Sequence, residues 1–307
     1  MRVSIVICTL NRSQALKACL RSLEAQVGVV PDDVEVVIID NGSSDDTPTV
    51  AKDFRRYSRF VVRWCVEERV GLSNARNRGV AEATNQIILF LDDDARPAPG
   101  WLAAHLRAFA ETDAHCVGGR IRLDWEAPRP RWLHPALDPF LGFIDLGDER
   151  ASFAFPRRYP GGGNIAFRRE VFETVGQFDP QLGVRPGRVV GSEETDLCYR
   201  LERAGGRIVY EPHAEVSHPV PASKLTKRWF RRRAYHAGRT GCLVELRHLG
   251  RARLFGRNLK RLFLSKPAAE QAKPAPHDRP SWRAALFLAR FRLLFALGYL
   301  AQFLKGR

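Results

Sequence analysis

Apolar and polar residues alternate in blocks along the first third of the chain, as in a strand–helix repeat. Short aliphatic runs are each followed by a longer amphipathic stretch. Continuous apolar runs of this length are typical of strands covered on both faces, as in parallel sheets. The pattern therefore predicts an α/β fold with a mainly parallel central sheet flanked by helices. The predicted strands are VSIVICT (3–9), VEVVIID (34–40), FVVRWCVE (60–67) and QIILFL (86–91).

The pattern loosens after about residue 111. HCVGGRIRLDW (115–125) and RIVYEP (207–212) are predicted strands, and GSEETDLCYRLERAG (191–205) is predicted to be a capped helix. Residues 126–160 are rich in proline, arginine and aromatic residues, which predicts a long surface segment.

The last third reads as a helical tail in three parts. A basic helix is predicted over Ser223–His248, and residues 266–280 form a Pro/Ala-rich linker. An apolar helix with arginines inside it is predicted over residues 281–304.

The charge of +15 is concentrated in this tail. Residues 220–307 carry 21 basic and 3 acidic residues, against 28 and 31 in residues 1–219. A nearly neutral body with a basic tail predicts a polyanionic partner, either nucleic acid or an anionic membrane surface.

The terminal helix is poorly suited to spanning a membrane. Its 11 Leu and Phe residues favour insertion by about 3–7 kcal/mol, while Arg290 and Arg292 near its centre oppose it by about 5–7 kcal/mol. Lying in the membrane interface is easier because arginine heads reach the head groups. Packing against the rest of the protein is the open alternative.

The cysteine pattern and the first apolar run point to an intracellular setting. The six cysteines are scattered with no CxxC pair, which argues against zinc and a disulfide framework and favours a reducing compartment. VSIVICTL is short and ends in Asn-Arg, so it reads as a strand rather than a signal peptide.

Three consecutive carboxylates, Asp92, Asp93 and Asp94, follow the fourth predicted strand. Carboxylates this close repel one another unless a cation neutralises them. Oxygen ligands suit Mg²⁺ or Mn²⁺, often together with substrate phosphates. Because alternate residues face the same way, Asp92 and Asp94 are expected to act together. A solvated acidic turn is the alternative.

Seven motifs, in order, resemble glycosyltransferase family 2, the inverting enzymes with the GT-A fold. The resemblance covers roughly residues 3–218 and implies a nucleotide-diphosphate-sugar donor and a Mn²⁺ or Mg²⁺ cofactor. It divides the chain into a nucleotide-sugar-binding half (1–110), an acceptor-binding half (111–220) and the tail (221–307). The motifs are TLNR, DNGSSDDT, GLSNARNRG, FLDDDARP, GGGNIAFRRE, GQFD and GSEETDLCYRL.

The resemblance assigns expected roles to residues of the first half. In the family's DxD motif, Asp92 points toward the ribose and Asp94 binds the metal, and His218 resembles a late histidine that approaches the metal or diphosphate. For the remaining residues of the expected nucleotide pocket, the alternative is a purely structural role in a turn, in a helix cap or at the surface. The expected nucleotide-binding residues are Thr9, Asn11, Asp40, Arg76, Asp92 and Asp93.

The resemblance also implies a general base in the late acidic motif. The family has Glu-Asp where this chain has Glu193-Glu194, so the base corresponds to Glu194, with Glu193 the open alternative. Acidic residues are also favoured at a helix start by the helix dipole alone. Asp196 is expected to be structural or acceptor-binding. The loop containing Gly162, Gly163 and Asn164 resembles one near the donor sugar and acceptor.

The sequence thus predicts an inverting, metal-dependent glycosyltransferase. The expected donor is a UDP-sugar and the acceptor a lipid-linked or polysaccharide hydroxyl. The expected location is cytoplasmic and peripheral, at the inner face of the cell membrane, through the tail. A nucleotidyltransferase is the alternative enzyme, and a non-enzymatic nucleic-acid-binding protein ranks last because it leaves the acidic motifs unexplained.

Overall fold

The structure is a computed structural model that describes residues 1–154, 159–186, 191–264 and 281–306. The chain forms two compact units. The first unit contains Met1–Asp124 and most of residues 142–219. The second unit joins Trp125–Leu141 to the chain from Val220 onward.

The parallel half of the sheet is formed by the four strands predicted from the apolar runs. Strands β1 and β2 pair in parallel, β3 extends the sheet beside β2, and β4 lies on the other side of β1. Helices connect these strands, as the strand–helix repeat requires. The bounds are β1 Val3–Thr9, α1 Ser13–Glu24, β2 Val34–Asp40, α2 Thr47–Tyr57, β3 Val61–Val66, α3 Leu72–Glu82 and β4 Ile87–Leu91.

Antiparallel strands extend the sheet beyond β4. Within the described residues nine strands form one mixed sheet in the order β3-β2-β1-β4-β8-β6-β9-β5, with β7 also paired to β9. The sheet of the predicted GT-A architecture thus consists of a parallel half and an antiparallel half. The bounds are β5 Arg96–Pro97, α4 Trp101–Glu111, β6 Cys116–Trp125, β7 Ala151–Ser152, β8 Asn164–Arg168, α5 Glu170–Thr174, α6 Glu193–Arg203 and β9 Ile208–Val220.

The core of the first unit consists of the apolar strand residues and the helix faces that cover them. Every residue of β2 and β4 is buried, which explains their continuous apolar sequences. The parallel register pairs Thr9 with Asp40 at the carboxyl ends of β1 and β2. Polar side chains that follow these strands therefore meet at one edge of the sheet, where ligands bind in such folds.

Residues 126–141, the first part of the surface segment predicted over residues 126–160, are instead packed within the second unit. A short 3₁₀ helix covers Pro135–Leu141, and Leu137 and Leu141 are buried. The aromatic residues of this stretch pack on the tail: Trp132 contacts Phe230 and Phe287 at ring distances of 5.7 and 4.7 Å. These aromatic residues are hydrophobic side chains that the tail helices cover.

Two long helices account for most of the tail residues that the structure describes. Helix α7 covers Lys227–Leu264, but Gly250 has non-helical dihedrals (φ 71°, ψ 162°), so two helices meet at this residue. The first begins at Lys227, later than the predicted Ser223, and reaches Gly250, close to the predicted end at His248. Helix α8 covers Trp282–Lys305, one residue from the predicted bounds, and the Ser281 side chain caps it by accepting from Ala284 N. The predicted linker 266–280 lies outside the described residues.

Candidate active site

Hydrogen bonds of side chains in TLNR and DNGSSDDT connect the loop after β1 to the loop after β2. Asn11 has a φ of 53° and its Oδ1 accepts hydrogen bonds from the backbone N–H groups of Ser44 (2.7 Å) and Asp45 (3.3 Å). Ser13 N donates to Asp45 Oδ2 at 3.1 Å. Hydrogen bonds with Thr47 and then with Ser13 lower the pKa of Asp45 to about 2. Asn11 is therefore not a helix cap; it bridges two loops at the sheet edge.

The other two residues of this predicted pocket are buried at the strand ends. Thr9 and Asp40 are 3% and 2% exposed. Asp40 Oδ1 accepts a hydrogen bond from Ser43 N at 2.8 Å. This is the geometry expected if Asp40 has a structural role in a turn. This bond shapes the loop, and it leaves the nucleotide-binding role of Asp40 a prediction.

The three carboxylates after β4 differ in exposure and in their neighbours. Asp93 is 3% exposed, whereas Asp92 and Asp94 are half-buried and lie close to His218 on β9. One donor atom each of Asp92, Asp94 and His218 lies within 4.8 Å of the others. The expectation that Asp92 and Asp94 act together agrees with this geometry.

The Asp92–Asp94–His218 cluster has the donor chemistry of a divalent-cation site. His218 Nε2 is 3.6 Å from Asp94 Oδ1, which is too long for a hydrogen bond. A separation of this size is possible for two ligand atoms that each lie about 2.1 Å from the same metal ion. The other ring nitrogen, Nδ1, is buried with no hydrogen-bond partner within the part of the chain that the structure describes. The residues present therefore fit Mn²⁺ or Mg²⁺.

Arg12, which is not among the site residues predicted from the sequence, forms ion pairs with Asp93 and Asp94. Its Nη1 donates to Asp93 Oδ1 at 2.8 Å and its Nη2 to Asp94 Oδ2 at 2.6 Å. Burial raises the pKa of Asp93 to about 7 although Arg12 opposes the shift. The signal was present in the sequence: Arg12 is the last residue of TLNR, directly after β1, at the edge where β4 also ends.

Arg76 joins three motifs that are far apart in the sequence. Its guanidinium is buried and donates to Glu193 Oε1 at 2.6 Å and to the Gly162 carbonyl oxygen at 2.9 Å. Asp92 Oδ1 lies 3.6 Å from Arg76 Nη2. The surface-charge alternative for Arg76 is wrong, because its charge is buried among two carboxylates and the glycine-rich loop.

The two glutamates at the start of α6 have different surroundings. Glu193 is 2% exposed and is paired with Arg76. Burial and the nearby Glu193 charge raise the pKa of the half-buried Glu194 to about 7. A carboxylate whose pKa lies near neutrality is suited to accepting a proton. Asp196 is buried and accepts from Arg200 Nε at 2.9 Å, which gives it a structural contact within α6.

The glycine loop approaches the carboxylates so closely that side chains would collide with them. A Cβ at Gly163 would collide with the Asp92 carboxylate, and one at Gly162 would lie 2.6 Å from Arg76 Nη2. The two glycines are therefore required by close backbone approach.

Asn164, the third residue predicted for this loop, bonds to the interior of the protein, and its place near the donor sugar or acceptor stays a prediction. Its side chain is fully buried, accepts from Trp101 Nε1 (2.8 Å) and donates to the carbonyl oxygens of Arg120 (2.9 Å) and Ala214 (2.8 Å). As the first residue of β8, it ties the sheet to α4.

Comparisons with known proteins identify the family of the chain and its fold. Residues 4–176 match the model of the glycosyl transferase family 2. The chain belongs to glycosyltransferase family 2. It is 28% identical over 250 residues to the glucosyl-dolichyl phosphate glucuronosyltransferase of Haloferax volcanii, covering 80% of this chain and 78% of that one. It is 26% identical over 242 residues to the succinoglycan biosynthesis protein ExoM of Rhizobium meliloti, covering 78% and 74%.

Solved structures confirm the GT-A fold of this family 2 glycosyltransferase. The mannosyltransferase PcManGT of Pyrobaculum calidifontis, in complex with GDP-Man and Mn²⁺, aligns with a TM-score of 0.64 at 20% identity, over 97% of this chain and 87% of that one. TarS 1-349 of S. aureus in complex with UDP-GlcNAc aligns with a TM-score of 0.55 at 15% identity, over 98% and 84%. The nucleotidyltransferase and nucleic-acid-binding alternatives are set aside by the family assignment.

Proposed function

We propose that the enzyme is an inverting, metal-dependent transferase that moves a sugar from a nucleotide-diphosphate donor, with uridine the first base to test, to a lipid-linked or polysaccharide hydroxyl. The observation that carries the proposal is the convergence at one sheet edge of the Asp92–Asp94–His218 cluster and the Glu193–Glu194 pair, joined through Arg76. Asp92, Asp94 and His218 would hold Mn²⁺ or Mg²⁺. The bound ion would neutralise the diphosphate as it leaves.

Glu194 is assigned as the general base. The acceptor oxygen forms its bond to the anomeric carbon while the bond from that carbon to the diphosphate oxygen breaks on the opposite face, which inverts the configuration. The acceptor proton passes to a Glu194 carboxylate oxygen. Glu193 is engaged by Arg76 and positions the start of α6, which supports Glu194 over Glu193 as the proton acceptor.

The choice of donor and acceptor rests on the relatives. Two of the solved structures contain GDP-Man with Mn²⁺ and UDP-GlcNAc. The names of the two curated relatives refer to a dolichyl-phosphate-linked sugar and to a polysaccharide, succinoglycan. The expected saccharide or lipid-linked acceptor agrees with both. The anionic membrane partner and the cytoplasmic, peripheral location remain part of the proposal, and nucleic acid is not an expected partner.

Calorimetric titration of UDP, GDP and dTDP, each with and without Mn²⁺, tests the nucleotide–metal site. We expect Mn²⁺-dependent binding of one of the three, weakened at least about tenfold by Asp94→Asn and unchanged by Asp53→Asn at an exposed position of α2. With the matching donor sugar, the released product should be a nucleoside diphosphate and not pyrophosphate, and the new linkage should have the opposite anomeric configuration. Absence of Mn²⁺-dependent binding for all three nucleotides would overturn the proposal.

A further inference from the structure

Helix α8 has two faces with different surroundings within the second unit. Its inner face packs on α7 and on the aromatic residues of 125–141, with Phe291 4.6 Å from Phe140 and 6.4 Å from Phe230 between ring centroids. Gly298 lies against the backbone of Tyr235 on α7. The contacts advance in the same direction along both helices, from Phe230–Phe287 to Arg239–Gln302, so α7 and α8 run parallel.

The opposite side, which we call the outer face of α8, is apolar and exposed. Its large residues recur at the helical period of about 3.6 residues and form a stripe about 33 Å long at 1.5 Å per residue. Between 46% and 71% of the surface of each is exposed. The outer face consists of Trp282, Leu286, Leu293, Leu297, Leu300 and Leu304. A continuous apolar surface of this kind marks an interaction site.

Arginines flank the outer face on both sides. At the helical period Arg283 and Arg290 fall along one edge and Arg292 along the other, and all three are exposed. The helix α8 contains no acidic residue from Trp282 to Lys305. A second copy of the same face would bring arginines against arginines, whereas anionic lipid head groups supply the opposite charge and acyl chains accept the leucines.

We infer that the outer face of α8 binds an anionic lipid surface while the helix lies in the plane of the interface. The helix is long and apolar enough to cross a membrane by length and composition alone. A spanning α8 would, however, hold Arg290 and Arg292 near the middle of the hydrocarbon, where an arginine is costly. In the interfacial position the leucines enter the acyl region and the arginines remain at head-group level. This assignment rests on the proposed function for its setting, because it names the surface that meets the membrane partner.

Sedimentation of the full-length protein with vesicles tests this assignment. The vesicles are phosphatidylcholine alone, and phosphatidylcholine with phosphatidylglycerol. We expect binding to the mixed vesicles that weakens with salt. The double variant Leu293→Gln/Leu297→Gln should lower the partition coefficient about tenfold or more. The double variant Arg290→Gln/Arg292→Gln should lower it about fivefold per arginine on the anionic vesicles.

The matched control and a nucleotide titration keep the outcomes distinct. Val27→Gln/Val30→Gln changes two equally exposed apolar residues outside the tail and should bind vesicles like the wild type. The Mn²⁺-dependent nucleotide titration should be the same for the wild type and for both α8 variants, so loss of vesicle binding and failure of the sugar-transferase assignment are read separately. Undiminished vesicle binding by the leucine variant would overturn the inference. Resistance of the vesicle-bound protein to extraction with alkaline carbonate would favour a spanning helix. If the wild type instead formed a dimer and did not bind vesicles, and the leucine variant were monomeric, the outer face would be assigned to a second copy.

Discussion

Arg76 Nη1 lies 2.6 Å from Glu193 Oε1, and both side chains are almost completely buried. This pair connects α3, which follows the third strand, to α6, more than a hundred residues later. Removing one partner of a buried pair leaves an uncompensated charge in the interior. The pair therefore fixes the start of α6, and with it Glu194, relative to Asp92.

Replacing the arginine with an apolar side chain tests this connection. Arg76→Met should lower the free energy of unfolding in urea by about 3–5 kcal/mol, because Glu193 would remain buried without a cation. Arg78→Gln is the matched control two residues further along α3: in its pair with Glu82 (2.8 Å) Arg78 is exposed and Glu82 half-buried, and the pair should contribute about 0–1 kcal/mol. If both variants lose the same small amount, Arg76 does not organise the site. Adding Glu193→Gln to Arg76→Met should restore part of the stability.

Glu194 should make the reaction pH-dependent. A base must be deprotonated to accept a proton, and its pKa is raised to about 7 by burial and by Glu193. We expect kcat/KM to rise with pH up to about 7 and to level off above it, falling about tenfold for each unit below. The measurement is release of nucleoside diphosphate from the donor between pH 5 and 9.

Removal of this carboxylate should abolish the pH-dependent limb. Glu194→Gln should lower kcat about 10²–10⁴-fold and leave nucleotide–Mn²⁺ binding close to that of the wild type. Glu173→Gln, on the exposed side of α5, is the control and should retain the wild-type rate and profile. Full activity in Glu194→Gln would reassign the base.

The sheet edge was predictable because local sequence determines it. Apolar runs fixed β1, β2 and β4 within a residue or two, since buried parallel strands tolerate few polar residues. Once the strands are parallel, their carboxyl ends meet, so Thr9, Asp40 and Asp92 had to be neighbours.

The contacts across the site were not predictable in the same way. The orientation of Asn164 depends on Trp101 and on two carbonyl groups from other strands, and none of these is marked by local sequence. The role of Arg12 depends on the distance between two loops 81 residues apart. The sequence predicts a surface position for the aromatic residues before Leu141. The helices that cover them, α7 and α8, come about a hundred residues later or more, so local sequence does not indicate their burial.

Asp93 should make the stability of the metal-free protein depend on pH. Its pKa is about 7 in the folded protein, mainly through burial, and about 3.9 in an unfolded chain. Between these values the folded state holds more protons, so stability is lost as the pH rises. Asp93→Asn removes this term. In EDTA, its unfolding free energy relative to wild type should therefore rise by about 1–3 kcal/mol from pH 4.5 to 8. A difference that does not change with pH would refute the shift.

Close contact between α7 and α8 depends on Gly238. A Cβ there would collide with the backbone carbonyl oxygen of Phe295 on α8, whereas a Cβ on Gly241, one turn later, would have Phe295 Cζ as its nearest atom at 3.9 Å. Alanine is favoured over glycine in a helix by about 1 kcal/mol. Gly241→Ala should therefore raise the free energy of unfolding by up to that amount. Gly238→Ala should instead lower it by about 1–3 kcal/mol, because backbone atoms cannot move aside as a flexible side chain can. Thermal or urea denaturation of the pair measures the difference, and equal stabilisation by both substitutions would mean that the two helices do not pack at this distance.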